Sequence, residues 1–290
     1  MTTDKSTTTN DPIVYINGDW TYQSKATVPF MDSGFWYGDG LFETLMVNNG
    51  HIFRPHKHLA RMHEGMNILK IEFPVPEDEV IALMEELIRR NSLDRALLRL
   101  MCTRGTVPGA PYRYEGPTNL YIGLRYADPD PDFPVKVLFV LQKDYPVGRM
   151  VPALKSMTYL GNMLAIRDAL AHDAFEPVFI DHDGVITECA VRNIFFVKDK
   201  VLHTPDTSLG ILAGITRDQI IELAGEMGIK VDYSPIRADA VNGMDEAFIT
   251  STGIGIYPAT WDGFHDSDYA ITNRLREAAE TQFRNETGMG

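Results

Sequence analysis

Lys155 opens the run KSMTYLGNMLA, and Glu188 lies downstream inside GVITECAVRNIFFV. An amine of this kind can condense with a carbonyl to form a Schiff base. A carboxylate can hold a heteroaromatic ring nitrogen protonated, which makes the ring a sink for electrons. Lysines and glutamates are mostly solvated surface residues, so the pair by itself decides nothing. Other segments offer polar groups suited to the same chemistry. AGITRDQIIELA puts Gly214, Ile215 and Thr216 at the start of a helix, where N–H groups and the positive end of the dipole suit a phosphate. ITSTGIGI brings Ser251 and Thr252 ahead of Gly253. Arg61 falls off the apolar Leu59–Met62–Met66 stripe of its helix, as a solvated arginine or an anion ligand would.

The elements that must carry these residues alternate between hairpins and helices. IVYING and DWTYQSKATVPF read as a hairpin turning at Gly18-Asp19, and LFETLMVNNGHIFR as a second around Asn49-Gly50, the dipeptide favoured in type I′ turns. HKHLARMHEGMNILKI repeats Leu59, Met62, Met66 and Leu69 at helical spacing. PEDEVIALMEELIRRN starts acidic and ends basic, as the helix dipole favours. LLRLMCTRG and TNLYIGLRY read as strands. ADPDPDFP can be neither helix nor central strand, so 128–134 is expected to link an N-terminal domain, residues 1–127, to a larger C-terminal domain, 135–290. Residues 1–10 read as a disordered tail. Beyond the linker, VKVLFVLQ is a strand, KSMTYLGNMLAIRDALAH a helix, EPVFIDHDGVITE and NIFFVKDKVLHTP hairpins, and TRDQIIELAGEMGI a helix. The expected class is α+β, with mostly antiparallel sheets and flanking helices.

Composition narrows the function. The chain has 290 residues, 44% hydrophobic and 23% charged, enough for a packed core in two domains. A net charge of −13 disfavours a nucleic-acid partner. No apolar run approaches a membrane span. Cys102 and Cys189 are far apart and form no CxxC pattern, which suits a reduced, cytoplasmic protein.

YGDGLFETLMV, HKHLARM, KSMTYLGNMLA, GVITECAVRNIFFV, AGITRDQI and ITSTGIGI occur in an order and at spacings that resemble the fold-type IV enzymes dependent on pyridoxal 5′-phosphate, the class IV aminotransferases. The resemblance runs from about Ile13 to Asp262. It implies a two-domain enzyme with its active site between the domains, a homodimer, and no metal. Lys155 would form the Schiff base with the cofactor and move the proton between substrate Cα and cofactor C4′. Glu188 would pair with the pyridine nitrogen, and Tyr159 would reach the 3′-oxygen. Arg61, Ile215, Thr216, Ser251 and Thr252 match phosphate-binding positions, and Asn193 a supporting asparagine.

The substrate is where the resemblance divides. LLRLMCTRG aligns with a strand of branched-chain aminotransferases that carries a tyrosine and then an arginine; the arginine is kept as Arg99, and Leu97 stands for the tyrosine. Tyr37, Phe42 and Gly253 match other substrate-pocket positions. This favours an aliphatic or branched-chain L-amino acid as donor and a 2-oxo acid such as 2-oxoglutarate as acceptor. The arginine and histidine that trap a D-amino acid's carboxylate in D-amino-acid aminotransferases are Gly109 and Pro111 here, although Arg113 is close by. (R)-Amine transaminases tend to carry glutamate at the Arg99 position. GDGLFET and KSMTYL also look like aminodeoxychorismate lyases, so D-amino-acid or (R)-amine transamination and the lyase reaction remain open.

Overall fold

The computed structural model describes residues 11–107, 109–110, 116–125, 131–264 and 267–288. The expected tail 1–10, the linker as far as residue 130, Pro111 and Arg113 lie outside these. Strands β1 (Ile13–Ile16), β2 (Asp19–Tyr22), β3 (Gly40–Asn48), β4 (His51–Ile52), β5 (Arg95–Thr103) and β6 (Asn119–Arg125) form one sheet in the order β2-β1-β6-β5-β3-β4. Every neighbouring pair in it is antiparallel. Alternation along β3 decides what this sheet does. Leu41, Leu45 and Val47 enter an apolar cluster with Leu59, Met62 and Met66 of α2 (Pro55–Leu69) and Val80, Met84 and Leu87 of α3 (Glu77–Asn91). Phe42 and Thr44 point to the other face, as period-two side chains must.

The second sheet holds β7 (Val135–Leu141), β8 (Glu176–Ile180), β9 (Ile186–Cys189), β10 (Asn193–Lys198), β11 (Val201–His203), β12 (Val231–Asp232), β13 (Glu246–Ser251) and β14 (Gly255–Thr260), ordered β12-β11-β10-β13-β14-β7-β8-β9. Its β12/β11, β14/β7 and β7/β8 joins are parallel and the rest antiparallel. Phe195 and Phe248 stack across β10 and β13 with centroids 4.9 Å apart, and α5 (Ile215–Glu226) and α6 (Ala270–Glu286) cover that face. The α+β class and its antiparallel bias are as the sequence implies.

Beyond β13, β14 and α6, which the sequence left unassigned, two elements differ from expectation. The helix after Lys155 begins only at Leu160, as α4 (Leu160–Ala171), and Leu160 is exposed. The preceding residues instead pair with the first sheet: Ser156 bridges Leu41, the Phe42 amide donates to the Lys155 carbonyl at 3.0 Å, and the Met157 amide to Gly40 at 2.9 Å. Sheet pairing captures a stretch whose apolar residues read as helical. The second difference is the short helix α1 (Ser33–Tyr37), which hairpin patterning missed.

Asp32 caps α1 from a fully buried position. Its carboxylate accepts from the Gly34 amide (2.7 Å), Thr103 Oγ1 (2.8 Å), Tyr121 OH (2.7 Å) and Asn119 Nδ2 (2.5 Å). Asp32→Ala strands buried donors, each costing about 1–3 kcal/mol. Urea unfolding should therefore report a loss of about 3 kcal/mol or more. A loss below about 1 kcal/mol would mean that water enters and replaces the carboxylate.

Candidate active site

A cavity of about 460 Å³ lies between the two sheets, within the usual range for small-molecule sites. Phe42, Thr44, Leu97 and Arg99 line it from β3 and β5. The register pairs Thr44 with Arg99 and Met46 with Leu97, so these side chains share one face. Arg99 Nη1 donates to Thr44 Oγ1 at 3.1 Å, and its guanidinium lies over the Phe42 ring at 4.1 Å. Lys155 Nζ lies 4.7 Å from the same ring centroid. The bridge from Ser156 to β3 places it there. Burial, and then the Arg61 charge, hold the Lys155 amine down at about 8.

Across the cavity, Gly214 is the N-cap of α5 and no side chain caps the helix, so the amides of Ile215 and Thr216 begin it uncovered by any cap. A Cβ on Gly214 would sit 2.1 Å from Asn193 Oδ1, and Asn193 Nδ2 in turn holds the Leu212 carbonyl at 2.9 Å. Arg61 reaches this helix start from α2, its Nη1 donating to Ala213 O at 2.7 Å. Ser251, Thr252 and Gly253 turn between β13 and β14 on the same wall. Thr250 Oγ1 beside them is buried and has no hydrogen-bond partner among the described residues.

Tyr159 meets Phe42 edge-on at 5.5 Å, and its hydroxyl donates to the Ala190 carbonyl at 2.7 Å. Glu188 lies on β9, one residue before its end and outside the cavity lining. Its Oε2 accepts from the Leu212 amide at 3.0 Å, and Oε1 pairs with Arg149. Burial pushes the Glu188 carboxyl up, while Arg149 and the Leu212 amide oppose it. Its charge is close enough to act on Lys155.

Of the residues singled out in the sequence, Arg61, Phe42, Arg99, Lys155, Tyr159 and Asn193 line the cavity, as do Ile215, Thr216, Ser251, Thr252 and Gly253. Glu188 stands immediately outside it. Tyr37 does not line the cavity: it is half exposed on α1, edge-on to Trp36. Sequence reasoning overlooked Arg149, which sits in the Pro- and Gly-rich stretch YPVGRMVP with no periodicity to mark it. It also overlooked the cavity-wall ion pair of Glu176 and Arg192. Arg192 stands beside Asn193 in a motif already noted, and that adjacency was the available signal.

The model of the Amino-transferase class IV family matches residues 40–260. The chain belongs to the class IV aminotransferases. A putative branched-chain-amino-acid aminotransferase of Methanocaldococcus jannaschii is 34% identical over 84% of this chain and 86% of its own. A D-alanine aminotransferase of Listeria monocytogenes is 31% identical over 88% and 89%, and an aminodeoxychorismate lyase of Bacillus subtilis 29% over 86% of each. The crystal structure of the Escherichia coli branched-chain amino acid aminotransferase superposes with a TM-score of 0.85 at 27% identity, covering 96% of both chains.

Class IV aminotransferases use pyridoxal 5′-phosphate, and the cavity suits it. The uncapped start of α5, the arginine beside it and the unpartnered Thr250 hydroxyl provide for a phosphate. A lysine with a lowered pKa provides for the aldehyde.

The lowered Lys155 pKa has a consequence for stability. The cofactor-free folded protein disfavours the protonated amine, and the penalty is full below about pH 8, where folded and unfolded states both carry the proton. It fades as pH rises from about 8 toward the ordinary value of 10.5. Lys155→Met should therefore stabilise the cofactor-free protein at pH 7 by at most about 3 kcal/mol, with the gain shrinking by pH 10. Urea unfolding at both pH values checks this; a gain independent of pH would trace to packing instead.

Proposed function

We propose that this class IV aminotransferase moves the amino group of an aliphatic L-amino acid, of branched-chain type, to a 2-oxo acid such as 2-oxoglutarate. The observation that carries this reading is the shared Phe42 ring. Arg99 lies on it at 4.1 Å and Lys155 at 4.7 Å, so a carboxylate paired with Arg99 leaves its α-carbon beside the lysine. Leu97 and Phe42 supply apolar wall for a side chain.

Bound pyridoxal phosphate supplies an electron sink that stabilises a carbanion at the substrate α-carbon. The chain's own residues do the rest. The Lys155 amine would hold the cofactor's aldehyde carbon and, once free, would carry the proton of the substrate α-carbon. For this it must be neutral, which burial favours. Glu188 would hold the cofactor's ring nitrogen and favour its protonated form, with Arg149 and the Leu212 amide fixing the carboxylate. Tyr159 would serve the 3′-oxygen. Arg61, the amides of Ile215 and Thr216, and Ser251 and Thr252 would hold the phosphate, and Asn193 braces the approach to α5. Gly253 leaves room beside Leu97: a Cβ there would lie 3.4 Å from it.

The same proposal divides the chain into domains 1–127 and 135–290, and makes it a cytoplasmic homodimer. Phe30, Phe35, Trp36 and Tyr37 form an exposed aromatic group on and before α1. Such a patch is unusual on a monomer's surface and suits a subunit interface. Tyr37 would then meet substrate from this interface. Among the described residues, no helix is long and apolar enough to cross a membrane.

Half-reactions test the substrate. The holoenzyme, mixed without a 2-oxo acid, should lose its cofactor absorption quickly with L-leucine and L-glutamate. It should lose little with D-alanine, D-glutamate or (R)-1-phenylethylamine. Bleaching by the D-acids or the amine would overturn the L-specific reading, and no bleaching from a yellow protein would favour the lyase reaction. Arg99→Ala should raise KM for amino acids at least about tenfold, the scale of a lost charged hydrogen bond. Lys155→Ala should abolish turnover.

A further inference from the structure

Glu43 occupies a position where the alternation of β3 calls for an apolar residue. Leu41 and Leu45 on either side enter the cluster against α2, and Glu43 is buried among them with no exposed surface. Burying an ion pair seldom adds stability, because desolvation offsets the attraction, and apolar replacements of similar volume are often neutral. Its presence therefore calls for another reason.

The contacts supply one. Glu43 Oε1 accepts from Arg61 Nε at 2.8 Å, and Oε2 from Arg61 Nη2 at 2.6 Å. His58, one helical turn earlier on α2, meets the same Oε2 through Nδ1 at 2.8 Å. The third Arg61 nitrogen, Nη1, donates to Ala213 O, directly before the N-cap of α5. The side-on pair with Glu43 and the bond to Ala213 fix the plane of the guanidinium. They use three of its five N–H bonds and leave two on the cavity side. Burial lowers the His58 pKa despite the carboxylate, so a neutral imidazole stands behind Glu43. Burial also works to raise the Glu43 carboxyl, but Arg61 and His58 outweigh it and hold it below the usual carboxylate range.

We infer that Glu43 is a positioning residue for anion recognition: backed by His58, it locks Arg61 against the start of α5, so that the cofactor's phosphate meets a preformed fork. An unheld arginine gives up rotamer entropy in any contact it makes, and the buried carboxylate removes that cost before the anion arrives. The inference rests on the reading of Arg61 as a phosphate ligand. It joins two sequence motifs, GLFETL and HKHLAR, through one carboxylate.

The test compares pyridoxal 5′-phosphate with pyridoxal, which has the same ring and aldehyde but no phosphate. Both are titrated by absorbance into the cofactor-free full chain of the parent, Glu43→Gln, Arg61→Ala and the double variant, with thermal unfolding in parallel. Glu43→Gln should weaken pyridoxal phosphate about 10–100-fold, the usual effect of losing a partner that orients a ligating side chain. Its affinity for pyridoxal should stay at the parent value, and the double variant should bind no worse than Arg61→Ala. Equal weakening of both compounds, or no weakening, would overturn the inference and leave Glu43 a structural residue. If Arg61→Ala keeps the parent's preference for the phosphorylated compound, the phosphate assignment itself fails. If Glu43→Gln does not fold, Glu43→Asp, which keeps the charge and shortens the reach, takes its place with the same readout.

Discussion

Three residues of backbone pairing between separate parts of the chain govern the cavity. The stretch around Ser156 lies against the start of β3, with the Phe42 amide on the Lys155 carbonyl and the Met157 amide on the Gly40 carbonyl. These bonds bring the second sheet's chain up to the first and set the lysine beside Phe42. They require close approach. A Cβ at Gly40 would stand 2.7 Å from both the Cys102 carbonyl and Met157 Sδ, nearer than non-bonded atoms tolerate. The glycine at the head of β3 is thus a condition for the lysine's position.

Around that join, three charges at and behind the cavity wall are held in pairs. Arg61 is matched by Glu43, Glu188 by Arg149, and Arg192 by Glu176. A charge removed from water persists only when a partner and hydrogen bonds replace its solvent. Lys155 has no ion pair of that kind within the described residues; its neighbours are an aromatic face and a mixed field of Arg61, Glu43, Arg99 and Glu188. Burial without such a partner lowers its hold on the proton below that of an exposed lysine, and a neutral amine is what attack on a carbonyl requires.

The helix start at α5 and the strand beside it follow the same logic. Asn193 holds the Leu212 carbonyl, the Leu212 amide holds Glu188, and Arg61 holds Ala213. Three consecutive polar contacts thereby fix the approach to α5, which has no capping side chain of its own. Glu188, Arg61 and the start of α5 are joined through one short peptide stretch, so they cannot shift independently.

Much of this was legible in the linear chain. Helical patterning marked α2, α3 and α5, Asn49-Gly50 marked a turn, and the local motifs named Lys155, Glu188, Arg61 and Thr216, because those signals depend on near neighbours. Periodicity went wrong at Lys155–Tyr159, where pairing with a distant strand overrode it, and it gave no warning of α1. Glu43 was visible only as one letter in a strand, and Arg149 and Arg192 as charges without pattern. Their meaning arises from contacts across long sequence separations: Glu43 with Arg61, Arg149 with Glu188, Arg99 with Lys155 over one ring. The chain's local text determined the kind of chemistry, since residue type sets what a group can do. Tertiary packing alone decided which charges are buried, paired and aimed, because desolvation and distance belong to the folded volume and to no segment of the sequence.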